Sequence, residues 1–576
     1  MTDTHKISPF TLEIIKDSFI AIGDEMFNTV ARTSMSTVIY ETLDYATGLT
    51  DAKGDLLTQG NGITGFVGML SSMVKEVLEK FEGRIHEGDI YIINDPYKGG
   101  GSHLSDVGLV LPIFYDGQLI AFSANKAHWT EVGGKDWGSY TNSSTDIFQE
   151  GLQFSCLKLV DQGVVNEALV DIIRSNVRTP EQSLGDMWAQ MAGLRTGEKR
   201  FKELCERYSA DYILEAITYH LNHGEQIARA EIAKLPNGEY YAEDYVDTDG
   251  FGNGPFPIKV KVTITDEEFI CDFRGSHPQV AGPVNAAYSG LVAAVRSIYM
   301  SITNPGEDVN DGMFRPLKII ADPKTIMSAE KPAPVSNYFE SFLGSLNLIW
   351  KACAPIVPDR LSAGHYNSVG SVVMTGADAD SGASFIIVEP TQGGWGATSS
   401  HDGNSAQFCF GNGETFNVPV EIAETRYGIL VEEFSLNSDD QGAGAGEYVG
   451  GKGIVRTYQS LFDGQSVNGT FGRHLFKPWG TEKGHDGSTN NYYIYRANGE
   501  IEGPFGMYPH TVMNTGDSVS FVTGTGGGYG DPLKRDPEKV AKDVRNEFYT
   551  VQQARDLFGV EVNPETFEYL ELDIRK

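Results

Sequence analysis

Cysteine is scarce in this chain, which has five cysteines among 576 residues and no Cys-x-x-Cys pair. The five lie far apart in sequence: Cys156, Cys205, Cys271, Cys353 and Cys409. An odd number of scattered cysteines is typical of a reducing compartment and not of a disulfide-rich secreted domain. We therefore expect buried thiols rather than metal ligands or nucleophiles, in a cytoplasmic protein.

Basic residues are also few, with 45 Lys and Arg against 78 Asp and Glu and a net charge of −33. Because nucleic acids and anionic membranes are bound by basic patches, this balance argues against both as partners. No apolar run is long enough to span a bilayer, and the first residues lack the apolar segment of a signal peptide. We expect neither a nucleic acid nor a membrane as partner.

Nucleotide-binding motifs are missing as well. The glycine-rich stretches 393–396 and 524–532 lack the Gly-Lys-Ser/Thr of a phosphate-binding loop, and neither clearly joins a strand to a helix. We interpret the glycines of both stretches as positions where the backbone adopts positive φ angles. The functional alternative is close approach to a neighbouring subunit or to a substrate.

The residues with the clearest chemistry are His103, Asp106 and His128. His103 and Asp106 follow three consecutive glycines, and His128 comes after the next apolar run. Two imidazoles and a carboxylate are a usual ligand set for a metal that activates water or a carbonyl. The alternative is a glycine-rich surface loop with two solvated histidines, but the apolar strands and Trp129 indicate a partly buried location, which favours ligation.

A hairpin explains how these residues meet. Residues 107–115 and 118–125 are apolar runs, and Asp116-Gly117 between them is a strong signal for a two-residue turn. With these two residues at the centre of the turn, His128 lies opposite Ser105, and Ala127 lies opposite Asp106. The pairing returns His128 to the loop that carries His103.

The distribution of periodic segments favours an α+β fold, with a helix-rich N-terminal half that carries the metal-binding hairpin. The C-terminal half is expected to be rich in strands and to end in a short helix; parallel α/β and mixed β-sandwich arrangements stay open. Predicted helices cover a segment opened by Ser8-Pro9 and residues 67–81, 166–175, 181–232, 284–304 and 536–556. Predicted strands include 45–50, 55–57, several within 238–273, and 372–376, 384–390, 418–422, 453–460 and 518–523. We divide the chain into an N-terminal metal-site domain (1–235), a central α/β region (236–364) and a strand-rich C-terminal region (365–576).

A second histidine pair, His220 and His223, lies in a helical stretch and is followed by Glu225. Spacing of three residues places both on one face of a helix. The segment is polar and close to a helix end, where histidine interacts favourably with the helix dipole. We favour this structural interpretation over metal ligation.

Several segments, in order along nearly the whole chain, resemble the B-type subunit of the hydantoinase/5-oxoprolinase family, which is related to the large subunits of ATP-dependent acetone and acetophenone carboxylases. They include residues 9–34, 41–46, 147–151, 176–180, 272–276 and 450–453, Asn94-Asp95-Pro96-Tyr97, Gly312-Met313-Phe314-Arg315-Pro316 and Gly527-Gly528-Tyr529-Gly530-Asp531-Pro532. The resemblance implies a fourth metal ligand, Asp44, beside His103, Asp106 and His128. This ligand set suits a divalent metal, with zinc preferred and manganese or iron as alternatives.

The resemblance also implies candidates for acid–base chemistry. Glu150 is the first candidate, because a carboxylate near a metal orients water or a ligand. For Asp95, Lys126 and Glu131, which lie close to the motif in sequence, we favour structural roles.

The function that the resemblance implies is that of the metal-containing subunit of an ATP-dependent hydrolase of cyclic amides: hydantoin, 5-oxoproline or another lactam. A hydantoinase A-type partner would bind ATP and phosphorylate the substrate, in an α2β2 heterotetramer. The alternative is a subunit of a ketone carboxylase of the acetone or acetophenone type. A third hypothesis is a non-enzymatic scaffold with a structural metal.

Overall fold

The computed structural model describes residues 7–60, 62–66, 68–377 and 382–575. Helices and mainly antiparallel sheets are both present, in agreement with the α+β prediction. The helices are α1 (Pro9–Thr33), α2 (Thr37–Tyr40), α3 (Met69–Lys80), α4 (Glu167–Asn176), α5 (Pro180–Tyr208), α6 (Ala210–Ile232), α7 (Tyr288–Thr303), α8 (Phe339–Cys353), α9 (Val420–Tyr427), α10 (Pro537–Arg545) and α11 (Val551–Phe558).

The strands form five sheets within the described residues. Those of the first half are β1 (Tyr45–Asp51), β2 (Leu56–Gln59), β3 (Ile90–Ile93), β4 (Asp106–Tyr115), β5 (Gln118–His128), β6 (Leu157–Asp161), β7 (Val164–Val165), β8 (Gly238–Val246), β9 (Phe256–Ile264) and β10 (Phe269–Asp272). Those of the second half are β11 (Leu317–Ile320), β12 (Ser371–Ala377), β13 (Ser384–Glu389), β14 (Ile429–Leu436), β15 (Ile454–Ser460), β16 (Gln465–Thr470), β17 (Asn491–Tyr495), β18 (Ile501–Phe505), β19 (Met507–Met513), β20 (Ser518–Val522), β21 (Val560–Val562) and β22 (Tyr569–Glu571).

A seven-stranded sheet with the order β2-β1-β5-β4-β3-β6-β7 carries the predicted hairpin. Helices α1 and α5 pack on one side of it, and α3 packs against β4 and β5 from the other. Helix α1 begins as predicted, because the Ser8 side chain accepts a hydrogen bond from the backbone N–H of Thr11. The predicted second helix is α3; Val67, the first residue of that prediction, lies outside the described residues.

The central part of the chain forms a four-stranded sheet, β11-β10-β9-β8, on which α8 packs beside α7. The pattern analysis did not predict α8. The helical pattern is present in the sequence, because apolar residues repeat at steps of three and four: Phe339, Phe342, Leu343, Leu346, Ile349, Trp350 and Cys353. Nearly all residues of this helix are buried, the polar ones included. The predicted helix 181–232 is two helices, α5 and α6, which Ser209 separates with a φ of 70°.

The C-terminal part contains two further sheets, β13-β12-β16-β19 and β14-β15-β20-β17-β18, with an apolar cluster between them. The strand predicted at 418–422 is wrong, because Pro419 precedes the short helix α9 as its N-cap residue. A short apolar run does not distinguish a strand from a helix by periodicity. The predicted terminal helix is instead the pair α10 and α11, followed by the two-stranded sheet β21-β22.

The largest apolar cluster extends from Ile7 to Cys409. All five cysteines are buried and unpaired, as expected. None of the described helices is both long enough and apolar enough to cross a membrane.

Candidate metal centre

The β4–β5 hairpin brings Asp106 and His128 directly opposite each other. The expected pairing of Asp106 with Ala127 is wrong by one residue, because a β-bulge between Ile113 and Phe114 shifts the register. Directly opposed residues point to the same face of a sheet, and a shift of one residue moves a side chain to the other face. The bulge therefore places the Asp106 carboxylate and the His128 imidazole on one face.

Strand β1 brings Asp44 to the other side of His128. Tyr45 pairs with Ala127, and the backbone N–H of His128 donates to the Asp44 carbonyl at 3.0 Å. Asp44 thus continues the same register and lines the same cavity as His103, Asp106 and His128. All four residues that were expected to hold a metal line this cavity, but Asp44 is not part of the cluster of three whose ligand atoms lie close enough to share one ion.

His103 is oriented by a residue far away in sequence. Its Nδ1 lies 2.9 Å from the carbonyl oxygen of Ser336, so an Nδ1–H that donates there directs Nε2 toward Asp106. Asp106 raises the pKa of His103 although burial opposes this, and a metal at Nε2 would take the place of the Nε2 proton. That Nε2 is 3.2 Å from Oδ1 of Asp106, whose other oxygen accepts a hydrogen bond from the Ser102 hydroxyl. One potential ligand atom each from His103, Asp106 and His128 lies within 4.8 Å of the others.

His128 provides the test of whether a metal fits. Its side chain is 2% exposed, and neither ring nitrogen has a hydrogen-bond partner among the described residues. Burial lowers the pKa of His128 to about 4, so the imidazole is neutral and has a lone pair available at neutral pH. Buried polar groups without a partner are rare, and each costs roughly 1–3 kcal/mol. A divalent ion bound by nitrogen and carboxylate oxygen would satisfy this orphaned group.

The pKa values of the two carboxylates at the site are shifted in opposite directions. Burial and the neighbouring Asp106 raise the pKa of Asp44. Burial opposes ionisation of Asp106, but His103 holds the pKa of Asp106 well below its ordinary value. Behind the carboxylates the buried Lys126 donates to the Gly100 carbonyl at 2.9 Å, and burial lowers the pKa of Lys126 to about 8.

Glu150 does not line the cavity but supports its wall. Its buried carboxylate accepts hydrogen bonds from the Ser144 hydroxyl at 2.7 Å and from the backbone N–H groups of Val335 and Ser336, each at 2.9 Å. Burial raises the pKa of Glu150 to about 7. Because Ser336 is also the hydrogen-bond partner of His103, Glu150 is connected to the site through one residue.

Asp95 and Glu131 have structural partners, in line with expectation. Asp95 accepts hydrogen bonds from the Tyr97 backbone N–H at 3.0 Å and the Ser155 hydroxyl at 3.1 Å. The buried carboxylate of Glu131 forms an ion pair with Arg178. Neither lines the cavity that contains the histidines.

The second histidine pair also has structural contacts. Nε2 of the buried His220 lies 3.0 Å from the Leu57 carbonyl oxygen, and His223 stacks on Tyr219 with ring centroids 5.7 Å apart. These contacts agree with the structural interpretation of this pair.

The glycine-rich stretches 393–396 and 524–532 pack within the chain itself. Of their glycines only Gly530 has a positive φ, so the interpretation of both stretches through positive φ is wrong. A Cβ atom on Gly394 would lie 1.9 Å from the Gly451 carbonyl oxygen, and one on Gly526 would lie 2.2 Å from that of Trp395. Close approach of backbone to backbone is the reason for glycine here.

The four candidate ligands line a small cavity with a volume of about 60 Å³. Its wall also contains Tyr140 and Tyr338, whose rings lie 5.4 and 5.2 Å from the His103 ring between centroids. Ser102, Ser336 and these two tyrosines were not predicted from the sequence. Only Ser102, which lies beside His103 in the glycine-rich motif, had a local signal.

Comparisons with known proteins identify the family of this chain. The family model for hydantoinase B/oxoprolinase matches residues 8–532. A Pseudomonas sp. (strain NS671) protein provisionally named as the B component of a D-/L-hydantoinase is 32% identical, with 97% of this chain and 96% of that protein covered. The crystal structure of ATP-dependent caprolactamase from Pseudomonas jessenii superposes with a TM-score of 0.90 at 26% identity, covering 99% of this chain and 98% of that one. A nucleotide-free acetone carboxylase structure shares the fold, with a TM-score of 0.91 at 18% identity and coverage of 100% and 83%. The chain therefore belongs to the hydantoinase B/oxoprolinase family.

Proposed function

We propose that this chain is the metal-containing subunit of an ATP-dependent hydrolase of cyclic amides. The observation that carries the proposal is the buried His128, with two unpartnered ring nitrogens, opposite Asp106 in a cavity of a hydantoinase B/oxoprolinase chain. Relatives named as a hydantoinase component and a caprolactamase support ring amides as the substrate class.

The residues of the site have two kinds of role: metal binding and positioning of a metal ligand. Asp44, His103, Asp106 and His128 would hold a divalent ion, with zinc preferred and manganese or iron as alternatives. Such an ion supplies Lewis acidity toward a substrate or water oxygen. Glu150 is a positioning residue, because it holds the Ser336 backbone against which His103 is oriented.

Ring opening needs an activated amide, because a resting amide is a poor electrophile. We propose that a hydantoinase A-type partner binds ATP and phosphorylates the amide oxygen, in an α2β2 assembly. In this chain's cavity water then adds to the activated carbon, and the ring C–N bond breaks with protonation of nitrogen, which leaves an acyl phosphate. A second water hydrolyses the acyl phosphate to the carboxylate and inorganic phosphate. The absence of a phosphate-binding loop in this sequence fits the division of labour.

The test is reconstitution with the A-type partner and assay of ADP formation and ring opening over hydantoins, lactams and ketones, with and without bicarbonate. We expect opening of a ring amide that depends on ATP and on this chain and is independent of bicarbonate. Carboxylation of a ketone would instead establish the carboxylase alternative. Activity at the parent level in the complex with His103→Ala would contradict the proposed site.

A further inference from the structure

Two tyrosines border the cavity beside the candidate metal ligands. Tyr140 and Tyr338 both line it, and their rings lie 5.4 and 5.2 Å from the His103 ring between centroids. The Tyr140 ring also lies 5.7 Å from the His128 ring. Both tyrosines are largely buried, with 6% and 9% of their surface exposed. The two phenols therefore border the space in which the proposed function places the reacting group.

The surroundings of each hydroxyl are polar. The Tyr338 hydroxyl faces the side chain of Ser102, whose own hydroxyl donates to Asp106. The Tyr140 hydroxyl faces the side chain of Ser371, which lines the same cavity. Both phenols thus direct their polar end toward the polar part of the cavity wall.

Hydrogen bonds fix the backbone of both tyrosines. The Tyr338 N–H donates to the Val335 carbonyl at 2.9 Å, and Tyr338 is the N-cap residue of α8. The carbonyl of Tyr140 accepts a hydrogen bond from the Asn468 side chain at 3.0 Å. Donors that are held in place before a ligand binds need little reorganisation during a reaction.

The cavity offers neutral donors to an anionic group. The activated intermediate of the proposed function carries an anionic phosphoryl group, and the described residues that line the cavity include no Lys or Arg. A cationic side chain there would also repel a divalent ion. A phenol is protonated at neutral pH, and burial raises the pKa of Tyr140 and of Tyr338 further. Each can therefore donate a hydrogen bond to an anionic oxygen without adding a charge.

We propose that Tyr140 and Tyr338 are catalytic residues that donate hydrogen bonds to the phosphoryl oxygens of the activated intermediate. The inference rests on the proposed function and assigns the side chains that hold its phosphoryl group. The two phenols keep this group in place while water adds to the activated carbon. Inorganic phosphate, the product, presents the same oxygens and is bound by the same two hydroxyls.

Binding of inorganic phosphate to the zinc-loaded full-length chain tests the two hydroxyls without ATP. We expect titration calorimetry to show phosphate binding by the parent and about tenfold weaker binding by Tyr140→Phe and by Tyr338→Phe, because each variant keeps the ring and loses one hydrogen bond to an anion. Zinc content should stay at the parent level, which distinguishes a phosphate donor from a metal ligand. The matched control is Tyr299→Phe, whose lost hydroxyl is buried outside the cavity and donates to the Met313 carbonyl at 3.2 Å; its phosphate affinity should equal that of the parent.

Turnover in the complex with the A-type partner is the second readout. We expect kcat/KM for ring opening to fall about tenfold or more in either Phe variant of the two cavity tyrosines. Unchanged phosphate affinity or turnover in either variant, or loss of zinc from either, would overturn the inference and leave the proposed function intact. A parent chain that binds no phosphate although its complex opens a ring amide would do the same. A complex that opens no ring amide would overturn the proposed function, and the inference with it.

Discussion

Asp106 lies directly opposite His128 across the β4–β5 hairpin, with Asp44 on the other side of His128 at the end of the neighbouring strand pair. Asp44, His128 and Asp106 thus lie side by side on one face of the sheet, at the ends of the neighbouring strands β1, β5 and β4. A β-bulge at Ile113–Phe114 establishes this arrangement, since without it Asp106 would pair with Ala127. Bulges next to functional sites commonly change the direction of a side chain in this way.

His128→Ala is predicted to abolish stoichiometric binding of a divalent metal and to leave the fold intact. The imidazole makes no hydrogen bond in the described structure, so its loss removes a ligand without breaking a hydrogen bond. Metal content by mass spectrometry and unfolding by circular dichroism measure the two effects. The matched control is His365→Phe, because His365 is equally buried with two unpartnered nitrogens but lies away from the site. Full metal occupancy in His128→Ala would exclude His128 as a ligand.

Glu150→Gln is predicted to weaken metal binding by about tenfold, the lower end of the effect expected for a residue that orients a ligand. The three donors on Glu150 all bond to Oε1, and the Val335 N–H also contacts Oε2 at 3.1 Å. The amide replaces Oε2 with a donor group that faces this N–H and removes the charge from the other bonds, so Ser336 and with it His103 lose alignment. Competition with a chelator gives the dissociation constant. Glu131→Gln changes another buried glutamate, one paired with Arg178, and should not alter metal affinity. An unchanged affinity in Glu150→Gln would remove its role as a positioning residue.

Lys126→Met is predicted to tighten metal binding by about tenfold and to lower the thermal stability of the metal-free protein. Lys126 compensates the buried charges of Asp44 and Asp106, and it repels a dication by more than ~1 kcal/mol even at an effective dielectric constant of about 20. Titration calorimetry with zinc and a thermal melt after chelation measure both effects. Lys452→Met, at a buried lysine paired with Asp440 at 2.7 Å, is the control for metal affinity. Weaker zinc binding in Lys126→Met would contradict this account of the charges.

Acid is predicted to destabilise the fold through His365. This side chain packs between Trp350 and Trp395, with ring centroids 5.1 and 5.4 Å away, and burial lowers the pKa of His365 to about 3. The unfolded chain, with an ordinary histidine pKa near 6.5, binds the proton first, so stability is present above about pH 6.5 and is lost as the pH falls toward 3.

Denaturant midpoints of the parent and of His365→Phe between pH 7 and 4 measure this effect. The parent should lose up to about 1.4 kcal/mol per pH unit more than the variant below pH 6. Identical pH profiles would show that His365 is not neutral in the folded state.

The sequence predicted the hairpin, α1 and the histidines of the site because each has a local signal: a turn dipeptide, a capped periodic helix and a glycine-flanked motif. Helix α8 was not predicted, although its apolar residues repeat at steps of three and four. The β-bulge was not predicted because no local residue type marks its position. The hydrogen bond between His103 and Ser336 was not predicted because it joins segments that are distant in sequence. Asp44 was expected only through the family resemblance, since its pairing beside His128 depends on the sheet order.

The most direct test of the central claim is anomalous X-ray diffraction from crystals of the zinc-loaded protein, recorded on both sides of the zinc absorption edge. The account predicts one strong anomalous peak within about 2.0–2.2 Å of a ring nitrogen of His103, a ring nitrogen of His128 and a carboxylate oxygen of Asp106. An occupied zinc position elsewhere, with none between these three side chains, would contradict it.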